Sequence, residues 1–276
     1  MLEGINGRIA SKAAIIAGTE EFLFYPQRAE LPYRIMIATP KQPAPPEGYP
    51  VIYVLDANAF FQTFQETIRV QSGRAEKTGV IPAVIVGIGY PSQENFVTDR
   101  RFYDFTPPAD SVTLPVRPRG GEWPRNGGAD LFLDFIEAEL KPYVEKHFSI
   151  DKNRQTLFGH SLGGLFALYT LFTRTAAFQN YIAGSPSIWW NNQAILAEEE
   201  AFTAKLGQLD AYPKVLLAVG SLEKDYMVSD AEELFQRLLR VCGERLPLEF
   251  IKAEGENHIS VVPTILSRAL RFINEQ

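Results

Sequence analysis

Short runs of mostly apolar residues recur along the chain at Val51–Leu55, Ala83–Ile88, Leu157–Phe158, Tyr181–Ala183, Lys214–Val219 and Leu248–Lys252. Runs without polar alternation describe strands covered on both faces, as in a parallel sheet. Helical spacing separates them. Phe60 to Arg74 is one such segment, and Ala129 to His147 is another, with Leu131, Phe132, Phe135, Ile136, Leu140 and Val144 on one face expected to be buried. Leu165 to Phe172 is apolar all round. A charged helix through Glu198-Glu199-Glu200 reads as a solvated face, and Ser229-Asp230-Ala231-Glu232 reads as a capping box opening a helix that runs to Cys242. A terminal helix is expected to break near its start at Pro263. This alternation of strand and helix predicts an α/β fold with a doubly wound, mostly parallel sheet. Phe22–Tyr25 and Tyr33–Ala38, joined through Glu30-Leu31-Pro32, predict an antiparallel strand pair ahead of it.

Between residues 90 and 128 the periodicity is lost. Pro107, Pro108, Pro115, Pro118 and Pro124 punctuate the segment, which predicts a long loop of the kind that carries function. Residues 1–276 are otherwise expected to form one domain around one large core.

Charge narrows the partners. With 27 basic and 33 acidic side chains the net charge is −6, and no long basic tract argues for nucleic acid. Cys242 is the only cysteine, which excludes an intrachain disulfide and a zinc–cysteine site. Arg8 and Lys12 ahead of Ala13–Ala17 echo a signal peptide, but the apolar run is short and Thr19-Glu20-Glu21 follows at once. No run approaches the ~18 apolar residues of a membrane span. The expected location is cytoplasmic, with no membrane partner.

One stretch carries candidate chemistry. Gly159-His160-Ser161-Leu162-Gly163 has the G-x-S-x-G spacing, placed between the strand-like Leu157-Phe158 and the apolar helix. A serine on so sharp a turn has a strained backbone, and side chains at both flanking positions are expected to collide as strand and helix pass, so both flanks are glycine. The following helix would aim unpaired N–H groups at whatever Ser161 attacks.

A serine hydroxyl needs a base within hydrogen-bond reach. The histidines are His147, at a predicted helix C-terminus, His160, inside the turn and read as structural, and His258, in the loop after the last strand. Only His258 fits the order serine, acid, histidine of α/β hydrolases. The acid is expected at the C-terminal edge of a strand. In Gly220-Ser221-Leu222-Glu223-Lys224-Asp225 the first choice is Glu223 and the second Asp225. The oxyanion donors are expected to be the N–H of Leu162 and that of Ala57 or Asn58. Such chemistry asks for no metal and no cofactor.

The phrases Tyr53–Ala59, Arg101–Pro107, Gly159–Leu165 and Ala183–Trp190 resemble the bacterial esterases that open siderophore trilactones, among them hydrolases of enterobactin, salmochelin and bacillibactin. The resemblance runs from about Ile16 onward. It implies an α/β-hydrolase fold and a serine carboxylic-ester hydrolase acting on a small-molecule ester, such as a ferric siderophore. The alternatives are a broad small-acyl carboxylesterase or thioesterase, and a catalytically silent binding protein of the same fold. Where the family pattern leads one to expect glycine stands Ala57, so the oxyanion loop is expected to be built differently. Between residues 100 and 126, Arg100, Arg101, Arg117, Arg119 and Arg125 face Asp104, Asp110 and Glu122, a local balance of five minus three, or +2. Arg100 and Arg101 are thus candidate contacts for an anionic substrate, and Trp189 and Trp190 candidate stacking surfaces.

Overall fold

In the computed structural model, which describes residues 16–117 and 120–275, eight strands form one sheet. They are β1 (Thr19–Phe24), β2 (Tyr33–Ala38), β3 (Tyr49–Leu55), β4 (Val84–Gly89), β5 (Ile150–His160), β6 (Asn180–Gly184), β7 (Lys214–Gly220) and β8 (Leu248–Ala253). Their spatial order is β1-β2-β4-β3-β5-β6-β7-β8. β2 runs antiparallel to β1 and β4, and every other pairing is parallel. The α/β-hydrolase architecture, with its antiparallel N-terminal pair, is therefore present. The signal-peptide echo before Ile16, and Pro118 and Arg119, lie outside the described residues.

Side chains that alternate along one strand feed two cores. Tyr53 and Leu55 of β3 face one side and Ile52 and Val54 the other. On the second side pack α1 (Ala57–Gln71) and the terminal α9 (Val261–Asn274). The first side receives α4 (Ala129–Phe135), α5 (Lys141–His147), α6 (Leu162–Thr173), α7 (Ile195–Lys205) and α8 (Asp225–Cys242). A π-helical turn at Ile136–Leu140 joins α4 to α5. The short α2 (Ala75–Thr78) and α3 (Thr98–Asp104) complete the set. α6 is buried on all faces from Leu162 to Phe172, which is why its sequence shows no polar stripe.

Several sequence expectations need correction. The segment 90–128 contains α3, and α1 starts at Ala57 rather than Phe60. Leu131 lies on the surface side of α4. Glu199 is buried on α7 and bonds Arg237 of α8 at 2.5 Å, so the acidic run is not wholly solvated. Ser229–Glu232 sits inside α8, which opens at Asp225; Ser229 Oγ donates back to the Tyr226 carbonyl, and Glu232 pairs with Lys252 at 3.0 Å. Pro263 is the third residue of α9 and does not break it, because first-turn N–H groups have no intrahelical acceptor to lose.

Candidate active site

The parallel strands carry their loops to one sheet edge, where β5 turns into α6 through Ser161. Its backbone is strained, with a positive φ of 60° and ψ −118°. The turn is pinned by Ser161 N–H donating to the Gly184 carbonyl at 2.9 Å, and Ser187 N–H donating to the Ser161 carbonyl at 3.1 Å. A Cβ on Gly159 would stand 1.9 Å from the Gly163 carbonyl oxygen, so strand and helix do pass that closely. The second collision is not at Gly163, whose added Cβ would make ordinary contact with Leu55 at 3.6 Å. It falls on Gly164, 2.8 Å from the Gly184 carbonyl oxygen.

Glu223 and His258, 35 positions apart, meet because the loops after β7 and β8 are stitched together. Leu222 N–H donates to the Glu256 carbonyl at 2.9 Å, and Gly255 N–H to Ser221 Oγ at 2.8 Å. A side chain at Gly220 would enter the Glu256 carbonyl, at 2.4 Å. His258 Nδ1 donates to Glu223 Oε2 at 2.6 Å, while Ser185 Oγ and Gly220 N–H donate to Oε1 at 2.5 and 2.7 Å. Burial alone would raise the Glu223 pKa, but the three hydrogen bonds outweigh it and hold the carboxyl below its ordinary value. Asn257 Oδ1 accepts from the N–H groups of Ile259 and Ser260, fixing the turn that presents His258. Asp225, the second choice for the acid, is the first residue of α8 and does not line the cleft.

Ser161, Glu223 and His258 line one cleft of about 380 Å³ with Ser187, Trp189, Leu222, Lys224, Tyr226, Met227 and Asn257. Ser187 Oγ lies 3.5 Å from Ser161 Oγ. Leu162 opens α6, and Ala57 and Asn58 open α1, so each N–H belongs to a first helical turn without an intrahelical acceptor. Ala57 has no positive φ; the left-handed residue of this loop is Asp56, φ 50° and ψ 44°. The Asn58 side chain is committed to Tyr90 N–H and to the carbonyls of Tyr90 and Ser92.

The remaining candidates fall apart in space. Arg101 is turned inward and grips Asp56, with Nε and Nη2 at 3.0 and 2.9 Å. Arg100 lies over the rings of Tyr33 and Tyr90, donates to the Pro32 carbonyl and lies 4.0 Å from Asp104. Neither lines the cleft. Trp190 is 1% exposed and belongs to the core beside Phe102, whereas Trp189 faces the cleft. His147 accepts no role there: its Nδ1 bonds the Tyr143 carbonyl. His160 packs its ring 4.6 Å from that of His258, nearer the site than a purely internal residue would be. Ser185, Ser187, Asn257 and Asp56 escaped the sequence reading because their roles depend on loops brought together by the sheet.

Among the described residues no group of three or more His, Cys, Asp or Glu is placed to hold a metal ion. None of the described helices is long and apolar enough to cross a membrane.

The family model described as putative esterase matches residues 27–259. The ferri-bacillibactin esterase BesA of Bacillus subtilis is 50% identical over 265 residues, covering 95% of this chain and 91% of the relative. A siderophore enterobactin esterase of Emericella nidulans is 38% identical and covers 81% of each chain. The crystal structure of the BES protein from Bacillus cereus superposes with a TM-score of 0.93 at 54% identity, over 97% of this chain and 100% of the other.

Proposed function

This chain belongs to the putative-esterase family and is an esterase, and from that premise we propose that it hydrolyses the ester bonds of siderophore trilactones, with a bacillibactin-type ester as the first substrate to test. The observation that carries the reading is the joining of Ser161, His258 and Glu223 in one cleft, with the Glu223–His258 bond at 2.6 Å, in a chain half-identical to a siderophore esterase.

In this reading Glu223, held ionised, accepts the Nδ1 proton of His258 in a hydrogen bond and so leaves Nε2 as the basic nitrogen. Nε2 takes the Ser161 hydroxyl proton as Oγ attacks the ester carbonyl. Negative charge develops on the carbonyl oxygen, and the N–H groups of Leu162 and of Ala57 or Asn58 stabilise it. His258 then gives its proton to the departing alcohol. Water, deprotonated by the same imidazole, attacks the acyl-serine, and the carboxylic acid leaves as Ser161 regains its proton.

The test is mass spectrometry of a trilactone incubated with purified protein. Stepwise gain of one water per opened ester supports the reading; intact trilactone beside brisk cleavage of simple esters would reject it in favour of a broad small-acyl esterase.

A further inference from the structure

The reaction asks of Glu223 that it face His258, yet three donors hold its carboxylate, and the one from Ser185 has no assigned part. Ser185 belongs to the short loop after β6, Gly184–Ser187, which is bonded both to the nucleophile turn and to the acid. Toward the first, the Gly184 carbonyl accepts Ser161 N–H at 2.9 Å and Ser187 N–H donates to the Ser161 carbonyl at 3.1 Å. Toward the second, Ser185 Oγ donates to Glu223 Oε1 at 2.5 Å. The start of α6 is seated on the same loop: a Cβ on Gly164 would stand 2.8 Å from the Gly184 carbonyl oxygen and 3.0 Å from Pro186 Cα.

The backbone at Ser185 would suit another residue better. Its φ is +42°, it is buried, and its N–H donates to the Ala218 carbonyl of β7 at 2.6 Å. Residues with a side chain avoid that region, and glycine enters it without strain. What glycine lacks is the hydroxyl. The carboxylate geometry shows what the hydroxyl does: Ser185 Oγ and Gly220 N–H, the latter at 2.7 Å, both take Oε1, and Oε2 is left to His258 Nδ1 at 2.6 Å. With Oε1 held at two points, one oxygen alone can face the imidazole, and donation to the carboxylate favours its ionised form.

We propose that Ser185 is a positioning residue for the hydrolysis: its hydroxyl anchors Oε1 so that Glu223 presents Oε2 to His258, and the Gly184–Ser187 loop thereby keeps the acid in register with Ser161. This rests on the ester-hydrolase reading above and on no particular siderophore.

The test uses the full chain with p-nitrophenyl acetate, and compares Ser185→Ala and Ser185→Gly, each alone and combined with Glu223→Ala, with thermal unfolding of every variant. Neither substitution leaves a donor for Oε1, so kcat falls about ten- to a hundredfold in both, the size of one hydrogen bond to a charged group, while KM changes little. Stability separates them: the glycine variant melts above the alanine variant, because only glycine is at ease at that φ. In the Glu223→Ala background neither substitution lowers kcat further, since Ser185 acts through the carboxylate. The acid limb of the kcat/KM profile moves to higher pH in both single variants, because Glu223 with one donor fewer holds its proton to higher pH; the titratable side chains that face it, His258 after β8 and His160 on β5, are unaltered.

A kcat that recovers in Ser185→Gly along with the melting temperature overturns the proposal and assigns the effect to the backbone. Losses that multiply in the double variants overturn it as well. If Ser185→Ala does not fold, Ser185→Gly with and without Glu223→Ala decides alone. An uncut trilactone leaves these readouts standing and removes only the siderophore assignment, whereas a wild type that cleaves no p-nitrophenyl acetate ends the hydrolase reading and this proposal with it.

Discussion

Asp56 and Arg101 form a nearly buried, two-armed ion pair that ties the end of β3 to α3, with side-chain exposures of 1% and 13%. Asp56 is also the left-handed residue immediately before Ala57 and Asn58, and Arg101 Nη2 reaches the His160 carbonyl at 3.5 Å. The pair therefore braces both strand ends that flank the candidate oxyanion site. Removing one partner of a buried pair leaves the other charge uncompensated, at a cost of about 3–5 kcal/mol. Arg101→Ala is expected to lose stability on that scale in urea unfolding, and to lose activity on neutral and anionic esters alike. Loss confined to the anionic ester would return Arg101 to the role of a substrate contact.

His160 gives the protein a pH dependence of known sign. Burial first, then the nearby His258 and Arg101 charges, push its pKa down to about 3. An unfolded histidine titrates near 6.5, so between those values the unfolded chain binds more protons and stability falls as the pH drops. From pH 6.5 to 5 this amounts to about 2 kcal/mol. Asp104 runs the other way, its carboxyl raised by burial to about 6, but it is unaltered in a His160 variant. In His160→Phe the melting temperature is expected to fall less steeply below pH 6.5 than in the wild type; parallel curves would contradict a buried neutral His160.

Glu223→Gln should separate orientation from chemistry. Losing an orienting carboxylate costs about 10⁴ in kcat, against about 10⁶ for a lost serine or histidine. Single-turnover rates of Glu223→Gln, Ser161→Ala and His258→Ala are expected to follow that order, with Asp225→Asn near the wild type. A large loss in Asp225→Asn would move the acid to Asp225.

The two flanking glycines of the elbow are not equivalent. Gly159→Ala drives a Cβ into the Gly163 carbonyl and is expected to yield little folded protein, while Gly163→Ala meets only ordinary contacts at 3.6 Å or more. Thermal unfolding of the two variants distinguishes them; equal destabilisation would show that space at Gly159 does not decide.

The strands were legible because a parallel sheet covered on both faces leaves unbroken apolar runs, and the elbow because Gly159 answers to local sterics. α3 was not, since seven residues among prolines are held in helix by tertiary bonds such as Arg101 to Asp56 rather than by propensity. The fate of charges was the least legible. Arg100 and Arg101 read as contacts for an anionic substrate, and Glu199 as part of a solvated run, because a buried ion pair leaves no mark in either partner's local sequence. Lys224 stood in the quoted loop beside Glu223, but only the fold puts it on the cleft.

The central claim is that Ser161 is a nucleophile activated by His258. It is tested most directly by incubating the folded protein with a fluorophosphonate and mapping the adduct by peptide mass spectrometry. The account predicts one stoichiometric adduct, on Ser161, whose formation is slowed strongly in His258→Ala. An unlabelled Ser161 in folded wild-type protein, or an adduct on another residue, would contradict it.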